Sequence, residues 1–158
     1  MLLVKWLGIA DRYSKMYLDR VLAPLGINSS QHMYITIICR NPGITQEQFT
    51  EMTHLNPSNI TRALNALIQA GFLKKETSRE DKRRNCLYPT QKAYAANKII
   101  LDTLEHIEDA LLEGYPKAER AHFEEMVNAA ALRAIALNHN EGELIYGTDT
   151  DSSKSSGV

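Results

Sequence analysis

ITQEQFTEMTHLNPSNITRALNALIQAGFLKKETSREDKRRNCLYPT, residues 44–90, carries two helix starts, one helix stop and a charged hairpin in direct succession. Thr45 stands three residues before Gln48, so its hydroxyl can accept from the Gln48 backbone while the Gln48 side chain reaches back. Ile44 and Phe49 take the apolar positions that staple such a start. The spacing predicts a helix from Thr45 to about Thr53. After a turn at His54-Leu55, Asn56 can cap a second helix with Pro57 at its first position, where the missing N–H costs nothing. Gly71 closes that helix. Inside it, Ile60, Leu64, Leu67 and Ile68 form one apolar stripe, whereas Ser58, Asn59, Thr61, Arg62, Asn65 and Gln69 lie off the stripe. Phe72 to Thr77 and Asn85 to Pro89 then suit two short strands, joined by Ser78-Arg79-Glu80-Asp81-Lys82-Arg83-Arg84. Pro89 cannot donate to a ladder, which confines it to a strand end or an edge.

Outward from this unit the chain is helical. Leu3, Leu7, Ala10, Tyr17 and Val21 form an amphipathic stripe, which Pro24 and Gly26 end. Asn28-Ser29-Ser30-Gln31 offers cap chemistry for a short helix with Tyr34, Ile37 and Ile38 on its apolar face, broken at Asn41-Pro42-Gly43. From Thr90 a long helix places Ile100, Leu104, Ile107 and Leu111 at alternating spacings of four and three, a helix-packing seam. Gly114-Tyr115-Pro116 interrupts it. A last helix carries Phe123, Met126, Val127, Ala130, Ala134 and Leu137 on one side. The organisation is thus an N-terminal helix over 1–28, a compact lobe over 29–97, C-terminal helices over 98–137, and a polar tail over 138–158 expected to be disordered. The fold class expected is mainly α with a small β-hairpin wing.

The bulk numbers fit a soluble globular chain of 158 residues, 44% hydrophobic and 23% charged. Lys5 interrupts the apolar start and no small-residue cleavage pattern follows, so the expected location is cytoplasmic, without a membrane partner. The net charge of -1 hides an asymmetry: residues 1–100 hold 14 Lys and Arg against 7 Asp and Glu, and residues 101–158 hold 4 against 12. A basic part joined to an acidic part is the footprint of a protein that presents one portion to a polyanion, although opposite halves can also attract one another within a fold. Two capped helices followed at once by a basic hairpin suit the two grooves of duplex DNA. A helix fits the major groove, where Arg62 matches guanine and Asn59 and Asn65 match adenine. Ser58 and Thr61, near the helix start, suit phosphate or thymine-methyl contacts. Thr45 and Gln46 are further phosphate candidates. Arg79, Lys82, Arg83 and Arg84 suit the narrow, strongly negative minor groove, and Asp81 among them suits the positioning of a neighbouring arginine. Taken singly, each of these pieces reads as well as a solvated face or a protected strand edge. Their order and adjacency favour the DNA reading.

The stretch GFLKKETSREDKRRNCLYPTQKA, residues 71–93, resembles the wing of the MarR family, dimeric transcription regulators of bacteria and archaea. Gly71, Asp81-x-Arg83 and Thr90 match that family's pattern, as do Leu64-x-x-Leu67 and the Thr45-Gln-Glu-Gln-Phe start, while Pro89 and Ala93 replace its usual Leu and Gly. The resemblance extends over most of residues 1–137. It implies a winged helix-turn-helix with N- and C-terminal dimerisation helices, a homodimer on double-stranded DNA, and Arg83 as the wing residue in the minor groove. The two recognition helices would address half-sites on the order of 10 bp apart. Repression by occluding a promoter, and release by a small-molecule effector held between the dimer helices and the lobe, are also implied. No cofactor is expected. An enzyme is disfavoured because His32, His54, His106, His122 and His139 show no HxxxH or HExxH spacing and no phosphate loop is present. Three alternatives stay open: a protein-binding winged helix without DNA activity, a metal sensor built from converging His or Glu, and a thiol sensor. For the last, Cys39 reads as a buried small hydrophobe, whereas Cys86 lies close to the basic wing.

Overall fold

A computed structural model of the chain describes residues 1–53, 55–77 and 85–139. It divides into two compact units, residues 1–114 and 115–158.

In the first unit, α1 (Leu3–Leu22) runs into a short 3-10 turn over Ala23–Leu25. Its buried side chains are Leu18 and Leu22, with Ala10, Tyr17 and Val21 half-buried beside them, while Leu3 and Leu7 stand exposed. The apolar stripe therefore enters the core only over its last turns. The next helix, α2 (His32–Arg40), is preceded by a self-bonded turn. Asn28 Oδ1 accepts from the Ser30 backbone at 3.0 Å, and Gln31 Oε1 accepts from the Asn28 backbone at 3.1 Å. The cap chemistry in Asn28-Ser29-Ser30-Gln31 thus closes the turn before the helix, and the residue at the helix start, Gln31, makes no side-chain cap bond. Asp19 of α1 fastens this turn by accepting the Ser29 N–H at 2.6 Å, which holds its carboxyl below the usual range. On α2, Tyr34, Ile35, Thr36 and Ile38 are buried.

Ile44–Thr45 forms β1, Gln46–Thr53 forms α3 and Pro57–Gln69 forms α4. The hairpin strands are β2 (Leu73–Thr77) and β3 (Asn85–Pro89). The sheet has three antiparallel strands in the order β1-β3-β2, so the hairpin expected from sequence gains a third strand. Ile44 pairs with Leu87 and Thr45 with Cys86. Gly43 makes the approach to that pairing: its N–H donates to Leu87 O at 2.8 Å, its φ is +89°, and a Cβ there would lie 3.3 Å from the Tyr88 hydroxyl. Pro89 terminates the central strand, opposite Leu73, which is the strand-end position its missing donor demands.

The helix starts follow the expected chemistry. Thr45 N–H donates to Gln48 Oε1 at 2.9 Å and Gln48 N–H to Thr45 Oγ1 at 3.2 Å, the reciprocal capping box. Asn56 Oδ1 accepts from Ser58 N–H at 2.9 Å with Pro57 following the cap. At the other end of α4, Gly71 N–H donates to Ile68 O and Phe72 N–H to Leu67 O, the paired bonds of a Schellman stop. Gly71 adopts φ +78° there, a left-handed conformation that costs a Cβ-bearing residue roughly 1 kcal/mol or more.

The core gathers Leu18, Leu22, Tyr34, Ile35, Ile38, Phe49, Ile60, Leu64, Leu67, Phe72, Leu87 and Ile100 into one cluster. Tyr34 and Phe49 stack within it, ring centroids 5.0 Å apart. The last helix of this unit, α5 (Gln91–Leu111), starts at Thr90, whose Oγ1 accepts from Ala93 N–H. Ala93, Ala96, Ile100 and Thr103 are its buried residues. The expected seam fades along the helix, since Leu104 and Ile107 are half-buried and Leu111 is exposed. The boundary expected at 97/98 falls inside α5, because its first turns belong to the core of the lobe.

The second unit contains α6 (Lys117–His139). Asn138 and His139, assigned from sequence to the tail, are its last two residues; the remainder of that tail, 140–158, lies outside the described residues. Phe123, Met126, Leu132 and Leu137 of α6 are all exposed.

Candidate nucleic-acid interface

The helix α4 sorts its side chains by chemistry. Ile60, Leu64 and Leu67 are buried on one side, and Ser58, Arg62, Asn65 and Gln69, spaced four, three and four apart, form the opposite exposed face. Asn59 and Thr61 flank that face and are exposed too. All five residues singled out on this helix, Ser58, Asn59, Thr61, Arg62 and Asn65, are therefore brought together on the surface. Among the described residues, no carboxylate pairs with Arg62, which leaves its guanidinium available to an external acceptor.

Thr45 and Gln46 behave differently from the phosphate contacts expected of them. Thr45 is half-buried and its N–H and hydroxyl are engaged in the capping box. Gln46, at the first position of α3, donates from Nε2 to Thr61 Oγ1 at 2.7 Å, and the Thr61 hydroxyl donates in turn to Pro57 O at 3.0 Å. This chain of bonds ties the start of α3 to the first turns of α4. Sequence reasoning missed it because its partners are 15 residues apart, beyond the reach of any helical period.

The strands beside α4 bring Lys74 and Lys75, both exposed. Lys74 is committed to Glu76 at 2.6 Å and lies over the Tyr88 ring; the Glu76 carboxylate raises its pKa. Arg79, Asp81, Lys82, Arg83 and Arg84 lie outside the described residues. The flanking strand ends are described, and they frame the segment as the connection between β2 and β3.

Two other sensor chemistries were read from the sequence. Among the described residues, no group of His, Cys, Asp and Glu converges to hold a metal ion. Cys39 and Cys86 are free and half-buried, and burial raises the Cys39 thiol pKa, the opposite of what a reactive thiolate needs. An open apolar cleft of about 440 Å³ lies between α1 and α5, lined by Trp6, Ile9, Tyr13, Tyr17, Ile107 and Leu111 among others. Among the described residues no helix is long and apolar enough to cross a membrane.

Comparison with known proteins places this geometry among relatives. A family model described as MarR family matches residues 25–84, which run from the 3-10 turn after α1 to the residue before β3. The HTH-type transcriptional regulator YybA of Bacillus subtilis (strain 168) is 29% identical over 96 residues, 61% of this chain and 64% of its own length. The chain thus matches somewhat less than two thirds of that relative. A crystal structure of MarR is 28% identical, with a TM-score of 0.73 over 89% of this chain and 95% of the other. A MarR family regulator from Listeria monocytogenes, crystallised with a 26mer DNA, has a TM-score of 0.79 over 89% of this chain and 95% of the other at 21% identity, a likeness of fold.

Proposed function

We propose that this chain, whose residues 25–84 match the MarR family, is a transcriptional regulator of that family that binds double-stranded DNA as a homodimer in the cytoplasm and represses transcription from a pseudo-palindromic operator. The observation that carries the reading is the exposed face of α4, where Ser58, Arg62 and Asn65 stand opposite a buried apolar stripe and Asn59 flanks them. Solvation alone needs charged or polar residues there, but not two amides and a guanidinium that no carboxylate among the described residues pairs with, set along the exposed side of a capped helix. Those are the groups that pair with base edges in a major groove. The similarly folded regulator bound to a 26mer DNA supports the same use of the fold. Arg83 acts in the minor groove, with Asp81 positioning its neighbours and Arg79, Lys82 and Arg84 neutralising phosphates.

Dimerisation is supported by apolar side chains that each unit leaves in solvent. On α1, Leu3 is 54% and Val4 84% exposed, and on α6 Leu137 is 72% exposed. Exposed apolar side chains in this number mark association surfaces. Replacing Leu3 and Leu7 together by Glu is expected to convert a dimer to a monomer in sedimentation and to weaken duplex binding with it; an unchanged dimer mass would remove α1 from the interface. Release by a small apolar effector is supported by the cleft between α1 and α5.

Selection of bound duplexes from a random pool tests the whole reading. Enrichment of a pseudo-palindrome is expected, and a pool without enrichment would favour the protein-binding alternative. On the selected duplex, Arg62→Ala should cost about 1–3 kcal/mol and relax the preference at one base position per half-site, as the loss of a bidentate base contact does. A uniform loss across all sequences would make Arg62 a phosphate contact instead.

A further inference from the structure

We propose that Thr61 reads the methyl group of a thymine, and that Gln46 is the positioning residue that commits Thr61 to this use. The inference rests on the DNA-binding reading above and assigns one residue its specificity. A threonine hydroxyl has a single O–H to give and a phosphate oxygen can only accept. The Thr61 O–H is already given to Pro57 O, and the hydroxyl oxygen also accepts from Gln46 Nε2 at 2.7 Å. Contact with a phosphate would require the bond to Pro57 O to break, and the Gln46 bond holds the hydroxyl in the rotamer that makes it. What the exposed Thr61 has left to offer a groove is its Cγ2 methyl, an apolar group of the kind that packs against the thymine C5-methyl. Thr61 stands on the first turns of α4, the part of a recognition helix that meets base edges. Gln46 reaches it from α3, so the commitment is set by the tertiary fold and not by the helix alone.

The experiment uses the full chain and the duplex enriched from the random pool, with each thymine of the half-site replaced in turn by deoxyuridine, which lacks only the methyl. For the wild type, one replacement per half-site should weaken binding about fourfold, the effect of losing one methyl-sized contact. Thr61→Ser keeps the hydroxyl and removes the methyl; it should bind the thymine duplex as weakly as wild type binds the deoxyuridine one, and show no further loss on that duplex. Thr61→Val keeps the methyl and removes the hydroxyl; it should retain the fourfold discrimination and the wild-type salt slope. Gln46→Ala should free Thr61 to change rotamer and reduce the discrimination with little change in thermal stability, but should leave it unchanged in the Thr61→Val background, whose χ1 the helix itself fixes; Gln46→Glu, whose carboxylate has no donor for Thr61 Oγ1, should behave like Gln46→Ala. The proposal is overturned if Thr61→Val lowers the salt slope by about 1, the mark of a lost phosphate contact, or if Thr61→Ser leaves the discrimination at every thymine intact. A pool that yields no enriched duplex overturns the DNA reading itself, a result separable from either of these.

Discussion

Raising the salt from about 50 mM to about 200 mM is expected to lower duplex affinity on the order of a thousandfold, with log K falling linearly against log salt. The size follows from the charges available. Arg62 is exposed on the reading face and Lys75 on the neighbouring strand, and Arg79, Lys82, Arg83 and Arg84 follow in the sequence between β2 and β3. If about three of these per subunit neutralise phosphates, a dimer releases roughly six counterions, which gives a slope of about −5. The chain as a whole carries a net charge of -1, so unspecific attraction of the entire protein to a polyanion cannot supply such a slope. It has to come from the local cluster. Titration of binding by fluorescence anisotropy at four or five salt concentrations checks it, and a flat dependence would argue for a winged helix that binds protein.

Phe49→Ala is the substitution expected to damage the fold most, by about 3–5 kcal/mol in urea unfolding. Phe49 is fully buried and stacks on Tyr34, and it sits where α3 meets the sheet and α4. Truncating it leaves a ring-sized void beside Tyr34 in the core of a lobe whose total stability is of the order of 5–15 kcal/mol. Phe49→Leu, which fills part of that void, should lose markedly less, and Glu47→Ala on the exposed side of the same helix should stay within about 0.5 kcal/mol. A loss below about 1 kcal/mol for Phe49→Ala would mean that the surrounding side chains collapse onto the site.

Helices were legible in the sequence wherever a cap, a period and a stop agreed. Thr45 with Gln48, Asn56 with Pro57, and Gly71 are local signals, and each acts in the structure through bonds no more than five residues long. The strand β1 was not legible, because two residues carry no period. Ile44 and Thr45 pair with Leu87 and Cys86, some forty residues on, after the turn at Gly43 has brought them there. A residue can also serve two elements at once, as Thr45 does in closing a ladder and opening a helix. The stripe on α1 was visible as a period, but a period does not say how far the core extends. Leu18 and Leu22 enter it and Leu3 and Leu7 do not. In the interface, the exposed face of α4 was legible from the spacing of Ser58, Arg62 and Asn65. The occupation of the Thr61 hydroxyl was not, since it depends on where α3 ends up beside α4.

The far end of α4 is fastened as firmly as its start. Lys92 of α5 donates to Ala70 O at 2.7 Å with its ammonium over the Phe72 ring, and Thr90, which caps α5, donates from its hydroxyl to Gly71 O at 2.8 Å. With Gln46 holding one end and α5 the other, the helix is tied to its neighbours at both ends. It behaves as a crossbar bolted to the long helix, so the reading face is aimed only by carrying the whole lobe. A tilt of α5 would therefore reach α4 through the bonds at Ala70 and Gly71.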